Sequence, residues 1–140
     1  MRNYASFGMM MTALLAAIPL AAQTPDLSGT WLAESNASQK WVLTQKDGKI
    51  HVKEMAGDKV EADFTCSLSG EECVAKENGH REKIEMYFNG PKLVEIRERG
   101  GQTIKQRLAV SDDGKTLTVE EVPLSSTQKG ETRLFHRQST

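Results

Sequence analysis

Few side chains in this sequence are suited to chemistry, and they are scattered. There are three histidines, His51, His80 and His136, and two cysteines, Cys66 and Cys73. No serine sits in a Gly-x-Ser-x-Gly elbow and no histidines form His-Glu-x-x-His. No glycine run has the spacing of a phosphate-binding loop or a dinucleotide fingerprint. Several carboxylates come as neighbours: Glu71-Glu72, Asp112-Asp113 and Glu120-Glu121. Adjacent residues on a strand point to opposite faces, so adjacency alone does not make them an acid–base pair. These residues point to a non-enzymatic protein with no cofactor.

The cysteines carry the most specific signal. Six residues, Ser67-Leu68-Ser69-Gly70-Glu71-Glu72, separate them. An even cysteine count in a small exported domain favours a disulfide. A ring this short stabilises by about 2–3 kcal/mol, mainly by restricting the unfolded chain. The rival reading places a metal between Cys66, Cys73 and His80. That spacing matches no familiar zinc pattern, and no fourth ligand is evident.

Export is predicted from residues 1–22. Arg2 supplies a positive start, Met9 to Leu20 an apolar run, and Leu20-Ala21-Ala22 a small-residue cleavage site before Gln23. The run is shorter than the ~20 apolar residues of a spanning helix. Residues 23–140 are then a single domain of 118 residues, periplasmic or extracellular. Without Arg2 it carries 17 basic and 19 acidic residues. It has no basic stripe, so nucleic acid is not an expected partner. It has no polybasic patch or amphipathic helix, so no membrane insertion is expected after cleavage. A monomer is expected.

The elements that must position these residues are strands. Asp47-Gly48, Asn78-Gly79, Asn89-Gly90, Gly100-Gly101 and Asp113-Gly114 supply the positive φ of tight hairpin turns. Between turns the side chains alternate. Val60, Ala62, Phe64 and Cys66 oppose Lys59, Glu61, Asp63 and Thr65; Ile84, Met86 and Phe88 oppose Lys83, Glu85 and Tyr87. A period of two with one wet face is the mark of an antiparallel sheet. About nine or ten sequential strands would leave two long open edges, and closing the sheet removes them. The prediction is an all-β, antiparallel up-and-down barrel. Its predicted inward set is Trp31, Trp41, Leu43, Ile50, Val52, Val60, Ala62, Phe64, Ile84, Met86, Phe88, Val94, Ile96, Ile104, Leu108, Val110, Leu117, Val119 and Leu134, with Gln106 intruding.

Two ends of the chain resemble a known superfamily. Ser28-Gly29-Thr30-Trp31 resembles the Gly-x-Trp element on the first strand of lipocalins and fatty-acid-binding proteins. Thr132-Arg133-Leu134-Phe135-His136-Arg137 is similar to the Arg-x-aromatic closing strand of the fatty-acid-binding branch. The chain also looks like the small secreted lipocalin-like proteins of bacteria. The resemblance implies a calycin-type barrel in which Gly29, Trp31 and Arg133 close one end, the arginine covering the tryptophan. It also draws attention to His136, because a late-strand histidine ligates iron in one haem-binding family of the superfamily.

The expected function is an exported binding module for a small apolar ligand held inside the barrel. Trp41, Phe64, Met86, Phe88, Gln106 and Arg133 are the candidate ligand contacts. That reading requires an apolar cavity of at least ~300 Å³. One rival is an envelope protein with a solid-packed barrel that works through its outer surface. Another is a haem or enzymatic barrel, which requires His136 to face inward.

Overall fold

Alternating apolar and charged side chains, broken by glycine-containing turns, build ten antiparallel strands that hydrogen-bond into a closed barrel. The computed structural model describes residues 24–140. The predicted leader, residues 1–22, lies outside the described residues. The strands are β1 (Gly29–Ala33), β2 (Gln39–Lys46), β3 (Lys49–Ala56), β4 (Lys59–Ser67), β5 (Cys73–Glu77), β6 (His80–Asn89), β7 (Lys92–Arg99), β8 (Gln102–Val110), β9 (Thr116–Pro123) and β10 (Glu131–Arg137). Each pairs with its sequence neighbours, and β1 closes the ring by pairing with β10, Ala33 opposite Phe135.

One end of the barrel is sealed. Leu27 and Trp31 are fully buried there, and the Trp31 indole Nε1–H donates to the Leu27 carbonyl at 3.0 Å. The Arg137 guanidinium stacks 4.2 Å above Trp31 and donates to the carbonyls of Ser28 (2.5 Å) and Gly114 (2.7 Å). Gly29 has φ +148°, and a Cβ there would run into that guanidinium. Glycine is therefore required two residues before the tryptophan. The arginine that covers Trp31 is Arg137. Arg133, expected in that role, lies instead 5.4 Å over Trp41 and 5.8 Å over Phe135. Its position follows from the register of β10.

Three strands differ from the predicted facing. In β10 the residue opposite Ala33 and Leu117 is Phe135, which is fully buried, while Leu134 turns outward and is 37% exposed. In β7 the turn is Gly90-Pro91, with Asn89 paired to Lys92. Gly90 has φ +60° and Pro91 a ring-fixed φ, which suits a two-residue hairpin turn. Phe88 then faces Leu93, so Leu93, Glu95 and Arg97 point inward, and Val94 and Ile96 take the opposite face of the strand, where Val94 is nonetheless buried and Ile96 half-buried. A one-residue change in register moves every side chain to the other face. In β4 a bulge opposite Glu54 and Met55 pairs Met55 with Val60. It leaves Val60 43% exposed and Glu61 at the barrel mouth.

Cys66 and Cys73 form a disulfide with Cα atoms 5.5 Å apart. The metal reading of this pair therefore fails, and His80 is exposed. The ladder between β4 and β5 is short, with Ala62 opposite Glu77 as its registered pair. The disulfide ties the two strands together at the other end of this seam.

Candidate ligand-binding site

The interior has two halves. Near the sealed end it is apolar and packed: Leu27, Trp31, Leu43, Ile50, Ile84, Met86, Leu93, Leu117, Val119 and Phe135 are buried against one another. Toward the opposite end the same inward registers turn polar. Ile50 and Val52 lead to Glu54; Cys73 and Ala75 lead to Glu77; Ile84 and Met86 are preceded by Glu82; Leu117 and Val119 lead to Glu121. The turns after β3, β5 and β7 stand at this end, and between them a cavity of about 350 Å³ opens to solvent. Trp41, Met55 and Ile104 supply apolar wall; glutamates and arginines supply most of the remainder.

Arg97 anchors the floor. It is almost entirely buried, and it donates to Glu95 through Nε and to Glu54 through Nη2. Its Nη1 lies 3.6 Å from Glu82 and 3.9 Å from Glu77. Beneath it, the Phe64 ring is 5.4 Å from the guanidinium carbon. Burial disfavours the charged guanidinium, but the carboxylates of Glu95 and Glu54 outweigh it and hold the Arg97 pKa above its ordinary value. Burial pushes Glu54 above the usual carboxylate range, with Arg97 pulling the other way. Burial and then Glu77 push Glu82 up to about 7, against the pull of Arg97 and Arg99.

A second cluster occupies the other wall. The Gln106 amide Nε2 donates to Glu121 at 2.7 Å, and Arg133 Nη2 stands 3.5 Å from the same carboxylate. A carboxylate accepts only, so the amide nitrogen must face Glu121 and the Gln106 Oε1 must face away from it. Three buried atoms have no hydrogen-bond partner: Glu82 Oε2, Gln106 Oε1 and Arg133 Nε. All three residues line the cavity.

The structure brings Trp41, Gln106 and Arg133 together around this cavity. Phe64 and Met86 are buried below it, and Phe88 lies toward the sealed end, in a surface hollow with Gln45 and Tyr87. The lining is polar where an apolar one was expected. Glu54, Glu77, Glu82, Glu95, Arg97 and Glu121 were missed as interior residues. Extending each apolar alternation by two residues would have found most of them. His136 points outward, 51% exposed and 3.3 Å from Glu34, so it ligates nothing inside the barrel. His51 pairs with Asp63 on the outer wall at 2.5 Å.

No protein-family model and no curated protein matches this sequence. Solved structures do match it. The REP1-NXSQ fatty acid transporter superposes with a TM-score of 0.67 at 14% identity, covering 81% of this chain and 97% of that one. A secretory abundant heat soluble protein from Ramazzottius varieornatus gives 0.67 at 12% identity, covering 84% and 100%. Secretory abundant heat soluble protein 4 from the same organism gives 0.66 at 13%, covering 85% and 100%. At these identities the likeness is one of fold, and with the closed strand order it makes this chain a ten-stranded lipocalin-like barrel.

Proposed function

We propose that this protein is an exported, non-enzymatic binding barrel that holds a small molecule in the cavity at its open end. One observation carries the reading: the sealed half is filled by buried apolar side chains, while the open half keeps a cavity of about 350 Å³ lined by Trp41, Met55 and Ile104 together with charged and amide side chains. The volume falls in the range of small-molecule pockets, about 300–1,000 Å³. Trp41, Gln106 and Arg133 are the ligand contacts in this reading, with Met55 and Ile104 against the ligand's apolar part; Phe64 and Met86 support the floor. The Cys66–Cys73 disulfide supports export, because such bonds persist in oxidising compartments.

Screening a fragment library by ¹H–¹⁵N NMR tests this. Binders are expected to shift the Trp41 indole N–H and the amides of Gln106 and Ile104, and to leave Trp31 unmoved. A library that yields no binder at those resonances, or binders only on the outer wall, would reject the cavity as a site.

A further inference from the structure

The loop between β1 and β2 carries a motif that the barrel's own bonding does not exhaust. Glu34-Ser35-Asn36-Ala37-Ser38 spans it, and all of these residues are exposed. Its ends are held by the barrel. Glu34 N–H donates to the Leu134 carbonyl at 2.8 Å, and the Ser38 carbonyl accepts from Gly57 N–H at 2.7 Å. The Gly57 contact sets the loop beside the turn after β3, at the open end, and the next residue, Gln39, lines the cavity. Between those ends the chain turns at Asn36, whose carbonyl accepts from Gln39 N–H at 2.9 Å.

The Asn36 side chain folds onto Ser38. Its Oδ1 accepts from the Ser38 backbone N–H at 3.1 Å and from the Ser38 hydroxyl at 2.7 Å. A turn of this kind uses only the oxygen, so aspartate would serve it equally. The amide nitrogen is not needed for it, and Asn36 is exposed. Asparagine followed two residues on by serine, with no proline between, is the acceptor motif of N-glycosylation, and its proper context is a surface loop of an exported protein. Glu34 also places an acid two residues before the asparagine, which is the longer form of this acceptor motif. The other described asparagines differ. Asn78 and Asn89 each precede a hairpin glycine, and neither has serine or threonine two residues on.

We propose that Asn36 is an N-glycosylation site at the rim of the open end. Its Nδ2 attacks C1 of the first sugar of an oligosaccharide carried on a polyprenyl diphosphate. The Nδ2–C1 bond forms and the C1–O bond to phosphate breaks. The lipid diphosphate leaves with the bonding electrons, and one Nδ2 proton is released. The hydrogen bonds at Oδ1 draw charge toward the oxygen and make that proton easier to lose. The attached glycan is bulky and solubilising, and it stands beside the cavity mouth. This rests on the export half of the proposed function, since the transfer takes place on exported chains.

One tryptic peptide tests the glycan and the export together. No lysine or arginine lies between Arg2 and Lys40, so the peptide that ends at Lys40 contains both the leader junction and Asn36. The full protein is recovered from the cells that naturally make it, digested, and sequenced by electron-transfer fragmentation, which keeps sugars attached. The expected peptide begins at Gln23 and carries its sugar mass on Asn36. Ser38→Ala made in the same cells is expected to lose that mass at least tenfold in occupancy, and Ser38→Thr to keep it. A peptide that begins at Gln23 with bare Asn36 overturns the glycan and leaves export standing. A peptide that begins at Asn3 with bare Asn36 overturns both. Sugar found on Ser35 or Ser38, or occupancy unchanged in Ser38→Ala, overturns the asparagine assignment.

Discussion

Replacing Arg97 with methionine keeps most of the side-chain volume over Phe64 and removes the positive charge at the cavity floor. In the native barrel that charge is bonded to Glu54 and Glu95 and lies 3.6 Å from Glu82. All three glutamates are more than nine-tenths buried. Removing one partner of a buried pair costs about 3–5 kcal/mol, because the remaining charge is left without compensation. An unfolding entropy of ~2.1 cal/mol/K per residue gives roughly 0.25 kcal/mol/K for the described domain. Arg97→Met is therefore expected to lower Tm by roughly 12–20 °C at pH 8.

The loss should depend on pH in a definite direction. Burial already raises the Glu54 carboxyl above its unfolded value with Arg97 present. Without Arg97 it rises further. A carboxyl whose folded pKa exceeds its unfolded pKa destabilises fully above the folded value, and that penalty is relieved as pH falls through it toward the unfolded value. Glu82, raised to about 7, acts in the same sense in both proteins. The gap between wild type and variant is thus largest at pH 8 and smaller at pH 5. Urea and thermal unfolding followed by tryptophan fluorescence at both pH values measure it. Adding Glu54→Gln and Glu95→Gln to the variant should recover much of the loss. A Tm drop below ~4 °C, about 1 kcal/mol, or the same drop at both pH values would show that Arg97 acts by packing and not by charge.

Two further perturbations probe the frame around the site. Phe135→Ala should cost about 3–5 kcal/mol, since it empties a fully buried ring lying 4.8 Å from Trp41, whereas Leu134→Ala on the outer wall should cost less than ~1 kcal/mol; equal losses in urea unfolding would contradict the register of β10. Replacing Cys66 and Cys73 together by serine should cost about 2–3 kcal/mol, with hydrogen exchange accelerating first in β4 and β5; an unchanged midpoint would mean that the short ladder holds this seam unaided.

The sequence carried the frame of this protein more fully than its interior. Alternation and turn chemistry are local, so nine or ten strands, their order and the disulfide followed from residues near one another, and the structure has ten. Which face each strand presents depends on partners elsewhere. Leu134 and Phe135 are both apolar, and only pairing with Ala33 and Leu117 decides between them. In β7 the run Leu93-Val94-Glu95-Ile96-Arg97 favours Val94 and Ile96 on apolarity, yet a two-residue turn at Gly90-Pro91 sets Glu95 and Arg97 inside. That choice is tolerable only because β3, β5 and β6 bring Glu54, Glu77 and Glu82 to the same end, where each acid meets an arginine. No strand shows this alone. Arg97 looks like a mistake as an inward residue and Glu54 looks like another; together they are a pair. The site was hidden because its logic is compensation across strands, and a rule that places charge outside reads each member on the wrong face.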